Sequence, residues 1–402
     1  MRLVAKFGGS SVADGEKIRN AATSIKKEVE RGHEVLVVVS AMGKSTNSLI
    51  EALETSTNGN YTGQHKDDIT AMGERTSVRV LSACLNSMGV ESTYLEPCMK
   101  EWPVMTTDKH VEARIKLEDT KKLAQKHVLP MLKKQVVVMC GFLGIGSHGR
   151  ITTIGRGGSD TTATVMGNCL DADKVIIVTD VDGVYSADPR LVEEPQLVRE
   201  ITSDVFWDLA VSGAGVLKWD ALEFKGDNQI LKIVNNRHRD LSADGTEVKG
   251  GFMKTNVEKM KEPLASVTIA GDSIIDYPGL LATTSKLIGD MDVNIWGVTV
   301  APNSMSFFVE EKKVDEVISA LHDLTVEDKK LVSVTSTKGV GLAWVSSPKF
   351  LDEPGILGKI TGAIGEAGFN IKEVTTSKSQ IMVFVDYKNL DAVYEIIQLL
   401  FK

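Results

Sequence analysis

GRGGSDTTATVMGNCLDADKVIIVTDVDGVYSADPR, residues 155–190, joins a glycine-rich turn, a helix, a buried strand and an acidic loop. Gly157 and Gly158 let the backbone come close to an anion, and a helix opening at Ser159/Asp160 turns free N–H groups and positive dipole toward it. The strand Val175–Thr179 ends in Thr179-Asp180-Val181-Asp182-Gly183, a turn that exposes polar groups where an open α/β sheet binds its ligand. Gly-Gly-Ser alone is more often a plain turn. Followed by a buried strand and a polar loop, it reads as a phosphate site leading into a nucleotide site.

The N-terminus supplies the other half. Leu3–Phe7 reads as a short buried strand running into Gly8-Gly9-Ser10-Ser11. Lys6 inside that strand is costly to desolvate unless it meets an anion. The two glycines that follow favour a phosphate-binding lysine over one that snorkels to the surface. The spacing is not that of a P-loop, so that enzyme class is disfavoured.

The 402 residues are enough for two or three domains with substantial cores. With 46 basic against 54 acidic residues, a net charge of −8 and no long basic run, bulk attraction to nucleic acid is excluded. No apolar run approaches the roughly 20 residues of a membrane span, and no leader precedes the first strand, so a soluble cytoplasmic protein is expected. Cys84, Cys98, Cys140 and Cys169 lack metal-ligand spacing and read as reduced packing residues; no protein-held metal centre is expected.

Asp14 caps an expected helix carrying Ile18, Ala22, Ile25 and Val29, stopped by Gly32, and the strand Val35–Ser40 follows. Val78, Leu81, Leu85 and Met88 mark a helix ending at Gly89, with Glu74 and Arg75 in its first turn. Val136–Phe142 and Lys174–Thr179 are continuous apolar strands. This alternation predicts an α/β fold, a doubly wound, mostly parallel sheet over residues 1–253. Residues 254–262 (KTNVEKMKE) read as a polar linker. Beyond it the sequence repeats at a constant shift: Tyr277-Pro278-Gly279-Leu280-Leu281 returns as Glu353-Pro354-Gly355-Ile356-Leu357, and Val293-Asn294-Ile295 as Phe369-Asn370-Ile371. Two ferredoxin-like α+β units are expected within 263–402, about 263–330 and 338–402, each running strand, Pro-Gly loop, helix and Asn-Ile strand, with interleaving left open.

KFGGSSV at 6–12, VVVSAMGKSTN at 37–47, MGER at 72–75, GRGGSDTTA at 155–163 and TDVDGVYSADPR at 179–190 resemble, in order, the signature segments of the aspartate kinase family. The tandem repeats are similar to the amino-acid-sensing ACT domains that such kinases carry. The resemblance implies transfer of the γ-phosphoryl group of ATP, with Mg²⁺, to the β-carboxylate of L-aspartate. Lys6 and Asp160 would be catalytic, Asp160 holding Lys6 in place. Lys6, Phe7, Gly8, Gly9, Ser10, Thr179, Asp180, Tyr185, Asp188 and Arg190 would hold the nucleotide. Ser40, Thr46, Glu74, Arg156 and Ser159 would hold the amino acid, Glu74 at its ammonium and Arg156 at a carboxylate. Asp276, Asn294 and Ile295 would meet a lysine or threonine effector, and a homodimer through the repeats is implied.

One motif departs. Where the family carries a phosphate-binding lysine this chain has Gly215, with Lys218 three residues on as a substitute if the segment is helical. The alternatives are an amino-acid kinase with another acidic substrate, or a weakened kinase acting as an effector-binding regulator.

Overall fold

The computed structural model describes residues 1–402 except Arg156, 212–218, Met253 and Asp352, with Trp219, Asp220, Lys349 and Leu351 described in backbone only. The described chain divides into two compact units, Met1–Met253 and Lys254–Lys402.

In the first unit the apolar runs become strands β1 (Arg2–Phe7), β2 (Glu34–Val39), β3 (Ser92–Leu95) and β4 (Val136–Cys140). A hairpin of β5 (Leu143–Ile145) and β6 (Ile151–Thr153) follows, then β7 (Lys174–Thr179), β8 (Glu200–Thr202), β9 (Ile230–Asn235) and β10 (Gly245–Lys249). The eight-stranded sheet has the order β3-β4-β2-β1-β7-β9-β10-β8. The six strands from β3 to β9 run parallel, and β10 turns back against β9 with β8 alongside it. Val4, Leu36–Val39, Val137, Val138 and Val175 are shut off from solvent, as a sheet covered on both faces requires.

The helices are α1 (Gly15–Glu30), α2 (Ser45–Thr57), α3 (Gly63–Ser87), α4 (Leu117–Leu123), α5 (Leu129–Leu132), α6 (Gly158–Cys169) and α7 (Ser203–Val211). Asp14 accepts from Lys17 N at 2.9 Å and caps α1. A π turn, Ala124–Val128, joins α4 to α5 just before Pro130, which has no N–H to continue the ladder. Cys140 and Cys169 are buried packing residues, and burial pushes the thiol of Cys169 up to about 12.

The second unit holds β11 (Asn256–Lys259), β12 (Leu264–Gly271), α8 (Leu280–Asp290), β13 (Gly297–Ala301), β14 (Ser304–Glu310) and α9 (Val314–Glu327), then β15 (Leu331–Ser346), α10 (Ile356–Glu366), β16 (Ile371–Thr376), β17 (Gln380–Asp386) and α11 (Leu390–Leu400). They build one antiparallel sheet, β13-β14-β12-β15-β17-β16, with β11 also on β15. Gly279 and Gly355 both stand at φ +85° before α8 and α10, a left-handed conformation that explains the repeated Pro-Gly.

Two expectations for this unit change. The segment expected as a linker contains β11, which pairs with Ala343–Ser346 in the second half of β15 and adds Val257 to the core of the second repeat. Its alternation carries a single apolar residue, too little to read as a strand. Val293-Asn294-Ile295 is loop, because β13 begins only at Gly297.

Candidate functional site

The sheet changes its winding direction at β1, between β2 and β7, so the crevice for a ligand opens beyond the C-terminal ends of those strands. There Lys6 Nζ lies 2.6 Å from Asp160 Oδ1, both side chains largely buried. Asp160 sits in the first turn of α6, whose preceding residue Gly157 has φ +79°. Gly8 lies directly over the ammonium: a Cβ there would stand 3.4 Å from Lys6 Nζ. The cation, the glycine turn and the α6 N-terminus therefore share one pole of the sheet.

The loop after β2 closes on this turn. Ser40 N donates to Phe7 O at 3.1 Å and Gly43 N to Gly9 O at 3.1 Å. A Cβ on Gly9 would meet Ala41 O at 3.0 Å, and one on Gly73 would lie 2.6 Å from Ala41 Cβ and 3.2 Å from Thr46 Oγ1. Side chains at these glycines would push α3 and the two loops apart. Ser159 packs just as closely on the end of β4, where a Cβ on Gly141 would be 2.7 Å from its Oγ.

The close approach of α3 delivers Glu74. Ala41 N donates to its Oε1 at 3.1 Å, while Oε2 is buried and receives no hydrogen bond from the described residues. Burial pushes this carboxyl up to about 7, against the lowering effect of the Ala41 N–H. Glu74 is not in a solvated first turn as its sequence position suggested: α3 starts at Gly63, and Glu74 lies near its middle at 4% exposure. Arg75 turns away and donates to Glu96 at 2.7 Å, as does Arg79 at 2.8 Å.

On the β7 side, Thr179 Oγ1 donates to Asp180 Oδ1 at 3.2 Å, and Asn235 Nδ2 to Asp180 O at 3.0 Å. Tyr185 is tied to Asp182 at 2.8 Å. Burial opposes ionisation of Asp182, yet hydrogen bonds from Tyr185 and His238 and the charge of Arg237 hold it below the usual carboxylate range. Asp188 is held at about 2 by hydrogen bonds from Arg190, and the pair lies at the surface. Ser10 is exposed at the tip of the first glycine turn. Arg156 and Lys218, with Gly215, lie outside the described residues.

Sequence reasoning missed several members of this constellation. Asn236 Nδ2 donates to Ser11 Oγ at 3.1 Å, and Arg237 and His238 reach Asp182 from the end of β9. The polar run Asn235-Asn236-Arg237-His238-Arg239, ending an apolar strand, carried that signal. Asp67 was missed as well. It is fully buried in α3, two turns before Glu74, and accepts from Thr153 Oγ1 at 2.6 Å and Val111 N at 3.1 Å, with His110 Nδ1 at 2.7 Å. It binds α3 to the strand that leads into Gly155-Arg156-Gly157.

In the second unit, Asp276 ends a short 3₁₀ turn and is exposed, Asn294 is exposed, and Ile295 packs half-buried on the first repeat's core. Close by in sequence, Trp296 Nε1 and Thr299 Oγ1 are buried without a hydrogen-bond partner among the described residues.

Residues 1–235 match the model of the amino acid kinase family. Over 96% of its length the chain is 30% identical to an aspartokinase of Bacillus sp. (strain MGA3), covering 93% of that protein. It is likewise 30% identical to the aspartokinase of Pseudomonas aeruginosa, over 97% of this chain and 94% of the relative. An aspartate kinase structure from Synechocystis matches with a TM-score of 0.81 at 28% identity, over 99% of this chain and 69% of that one. Aspartokinase III of E. coli, solved with aspartate and ADP, has a TM-score of 0.56 at 22% identity over the full length of both chains, a likeness of fold alone.

Proposed function

Because the chain belongs to the amino acid kinase family, among the aspartokinases, we infer that the crevice at the ends of β1, β2 and β7 carries out ATP-dependent phosphorylation of the β-carboxylate of L-aspartate. The observation that carries the assignment of the crevice is Glu74 Oε2: a buried carboxylate oxygen without a partner among the described residues, beside a phosphate-type turn, calls for a cationic donor. The α-ammonium of an amino acid is such a donor.

The attacking carboxylate, with an ordinary pKa of about 4, is already ionised at neutral pH and requires no general base. What opposes reaction is the approach of one anion to another. Lys6, held by Asp160, supplies positive charge at the phosphoryl group in flight, and the Gly8–Ser10 turn and the α6 N-terminus offer N–H donors. Ser40, Thr46 and Ser159 line the amino-acid side with hydroxyls, and Arg156 is assigned to a substrate carboxylate. Thr179, Asp180, Tyr185, Asp188 and Arg190 form the nucleotide side, with Lys218 the stand-in for the family lysine replaced by Gly215. ATP would bring Mg²⁺ with it, as the resemblance implies. Such an ion neutralises charge on the triphosphate.

The repeats complete this reading as a regulatory unit responding to lysine or threonine. The unpartnered Trp296 Nε1 and Thr299 Oγ1 beside Asn294 and Ile295 support a ligand or partner at the first repeat. The outer strands β13 and β16 offer edges for a second copy, in line with a homodimer.

The test is ADP release, with hydroxylamine trapping of the acyl phosphate, across L-aspartate, L-glutamate, N-acetyl-L-aspartate and N-acetyl-L-glutamate. L-Aspartate alone is expected to give rapid turnover. Equal turnover of an N-acetylated acid would remove the role of Glu74, and none with any acid would remove the kinase assignment.

A further inference from the structure

Asp67 is a fully buried carboxylate that no step of the phosphoryl transfer uses. It stands on α3 seven residues before Glu74, a spacing that sets both side chains on one face of the helix, roughly 10 Å apart along the axis. Its oxygens reach across to the neighbouring layer. Thr153 Oγ1 donates to Oδ1 at 2.6 Å and Val111 N at 3.1 Å, while His110 Nδ1 lies 2.7 Å from Oδ2. A buried charge is a costly way to join two elements, and apolar side chains of equal volume often hold them as well. What apolar contact does not supply is direction. Hydrogen bonds fix distance and angle, whereas hydrophobic contact lets two surfaces slide.

This tie spans the two ends of the crevice. On α3, Gly73 packs closely on Ala41 and Glu74 accepts from Ala41 N, so the helix carries the carboxylate that faces the ammonium. On the other side Thr153 ends β6, and the chain around and beyond it is pinned. Ile154 N donates to Phe142 O at 2.9 Å, Phe142 N to Thr162 Oγ1 at 3.1 Å and Gly158 N to Gly155 O at 3.1 Å. That segment opens α6, where Asp160 holds Lys6 at 2.6 Å. The bond from Arg150 to Gln64, at 2.7 Å, also joins the hairpin to α3, but it is exposed to competition from water.

Resting on the reading of Glu74 as the ammonium site and Lys6 as the phosphoryl cation, we propose that Asp67 is a positioning residue that sets substrate length. By tying α3 to β6 it fixes the span from Glu74 to Lys6 at that of L-aspartate and excludes L-glutamate. The two acids differ by one methylene, at most about 1.5 Å of reach. A misplacement of about 1 Å costs about 10²-fold in rate, and one methylene carries about 10–200-fold in selectivity. Loosening the tie by that amount erases the distinction and leaves the nucleotide side, on β7, untouched.

ADP release with hydroxylamine trapping, on the full chain, gives kcat/KM for L-aspartate and L-glutamate and their ratio. Asp67→Asn is expected to lower that ratio about tenfold or more, and Thr153→Val, which removes one donor at nearly constant volume, about threefold, with KM for ATP within about twofold in both. Leu85→Ala, in the apolar half of the same helix, loosens the core without touching the tie and should keep the ratio. An unaltered chain that prefers aspartate while both tie variants keep the preference overturns this proposal alone. A ratio that falls equally in Leu85→Ala does the same, since general loosening then explains it. An unaltered chain that uses neither acid removes the kinase reading and this proposal with it. If Asp67→Asn does not fold, Thr153→Val decides.

Discussion

Glu74 makes the crevice sensitive to pH in a direction that can be derived. Its carboxyl is pushed up to about 7 in the fold by burial, against an ordinary 4.5, so the folded chain holds this proton more tightly than the unfolded one. Between those two values folding stability must fall as pH rises, by roughly 3 kcal/mol at about 1.4 kcal/mol per pH unit, and level off above about pH 7. Urea melts of Glu74→Gln should lack that decline between pH 4.5 and about 7. An ammonium placed on Oε2 reverses the preference, so aspartate binding near pH 6.5 should release a proton, measurable by calorimetry in buffers of different ionisation enthalpy. No release would place the ammonium elsewhere. Lys6 acts differently, because its charge matters most in the transition state. Lys6→Ala should lower kcat about 10²–10³-fold or more while KM for aspartate changes little. A loss below about tenfold would remove Lys6 from the catalytic role.

At the level of elements, α3 shows how a site can be hidden from periodicity. Val78, Leu81 and Leu85 mark the apolar half of this helix plainly, and their pattern starts it beside Glu74. The first half, from Gly63, buries Asp67 and Thr70 through hydrogen bonds instead, so no apolar stripe announces it. Removing the charge at Asp67 leaves Thr153, Val111 and His110 competing for a neutral amide. Asp67→Asn is expected to cost about 2–4 kcal/mol in chemical denaturation, since hydrogen bonds to a buried charged acceptor are worth about 1.5–3 kcal/mol each and partner groups are left exposed to loss. A stability change below about 0.5 kcal/mol would show that the network holds nothing. Strands β1, β2, β4 and β7 were legible because a sheet covered on both faces needs unbroken apolar runs, whereas the short β3 and the β8–β10 edge, broken by polar residues, were not read. Lys6 and the Gly8-Gly9 turn were legible for the converse reason, since each breaks such a run at its end. Asn294 was misread as strand because Val293 and Ile295 alternate around it while the backbone pairs only from Gly297. β11 was missed because Val257 is its only buried apolar contribution.

Across the second unit as a whole, the two repeats share a seam. Phe308 from the first and Phe384 from the second stack with ring centroids 4.0 Å apart, backed by Leu264, Val340 and Leu342. Gly297 makes room for them, since a Cβ there would stand 2.9 Å from the Phe384 ring. Phe384→Ala should therefore destabilise the unit by about 3–5 kcal/mol and broaden its thermal transition as the repeats lose their common core. A loss under about 1 kcal/mol would mean that each repeat stands alone. The pairing of β11 with the far half of β15 has a further consequence, in the order of synthesis. Asn256–Lys259 leaves the ribosome before the first repeat, yet its partner Ala343–Ser346 follows only after that repeat is complete. Roughly eighty residues separate them, so at about 5–20 residues per second the nascent strand waits for several seconds or longer with its edge unpaired. Its Asn, Glu and Lys side chains, set around one valine, keep that waiting segment soluble until the second repeat arrives to enclose it.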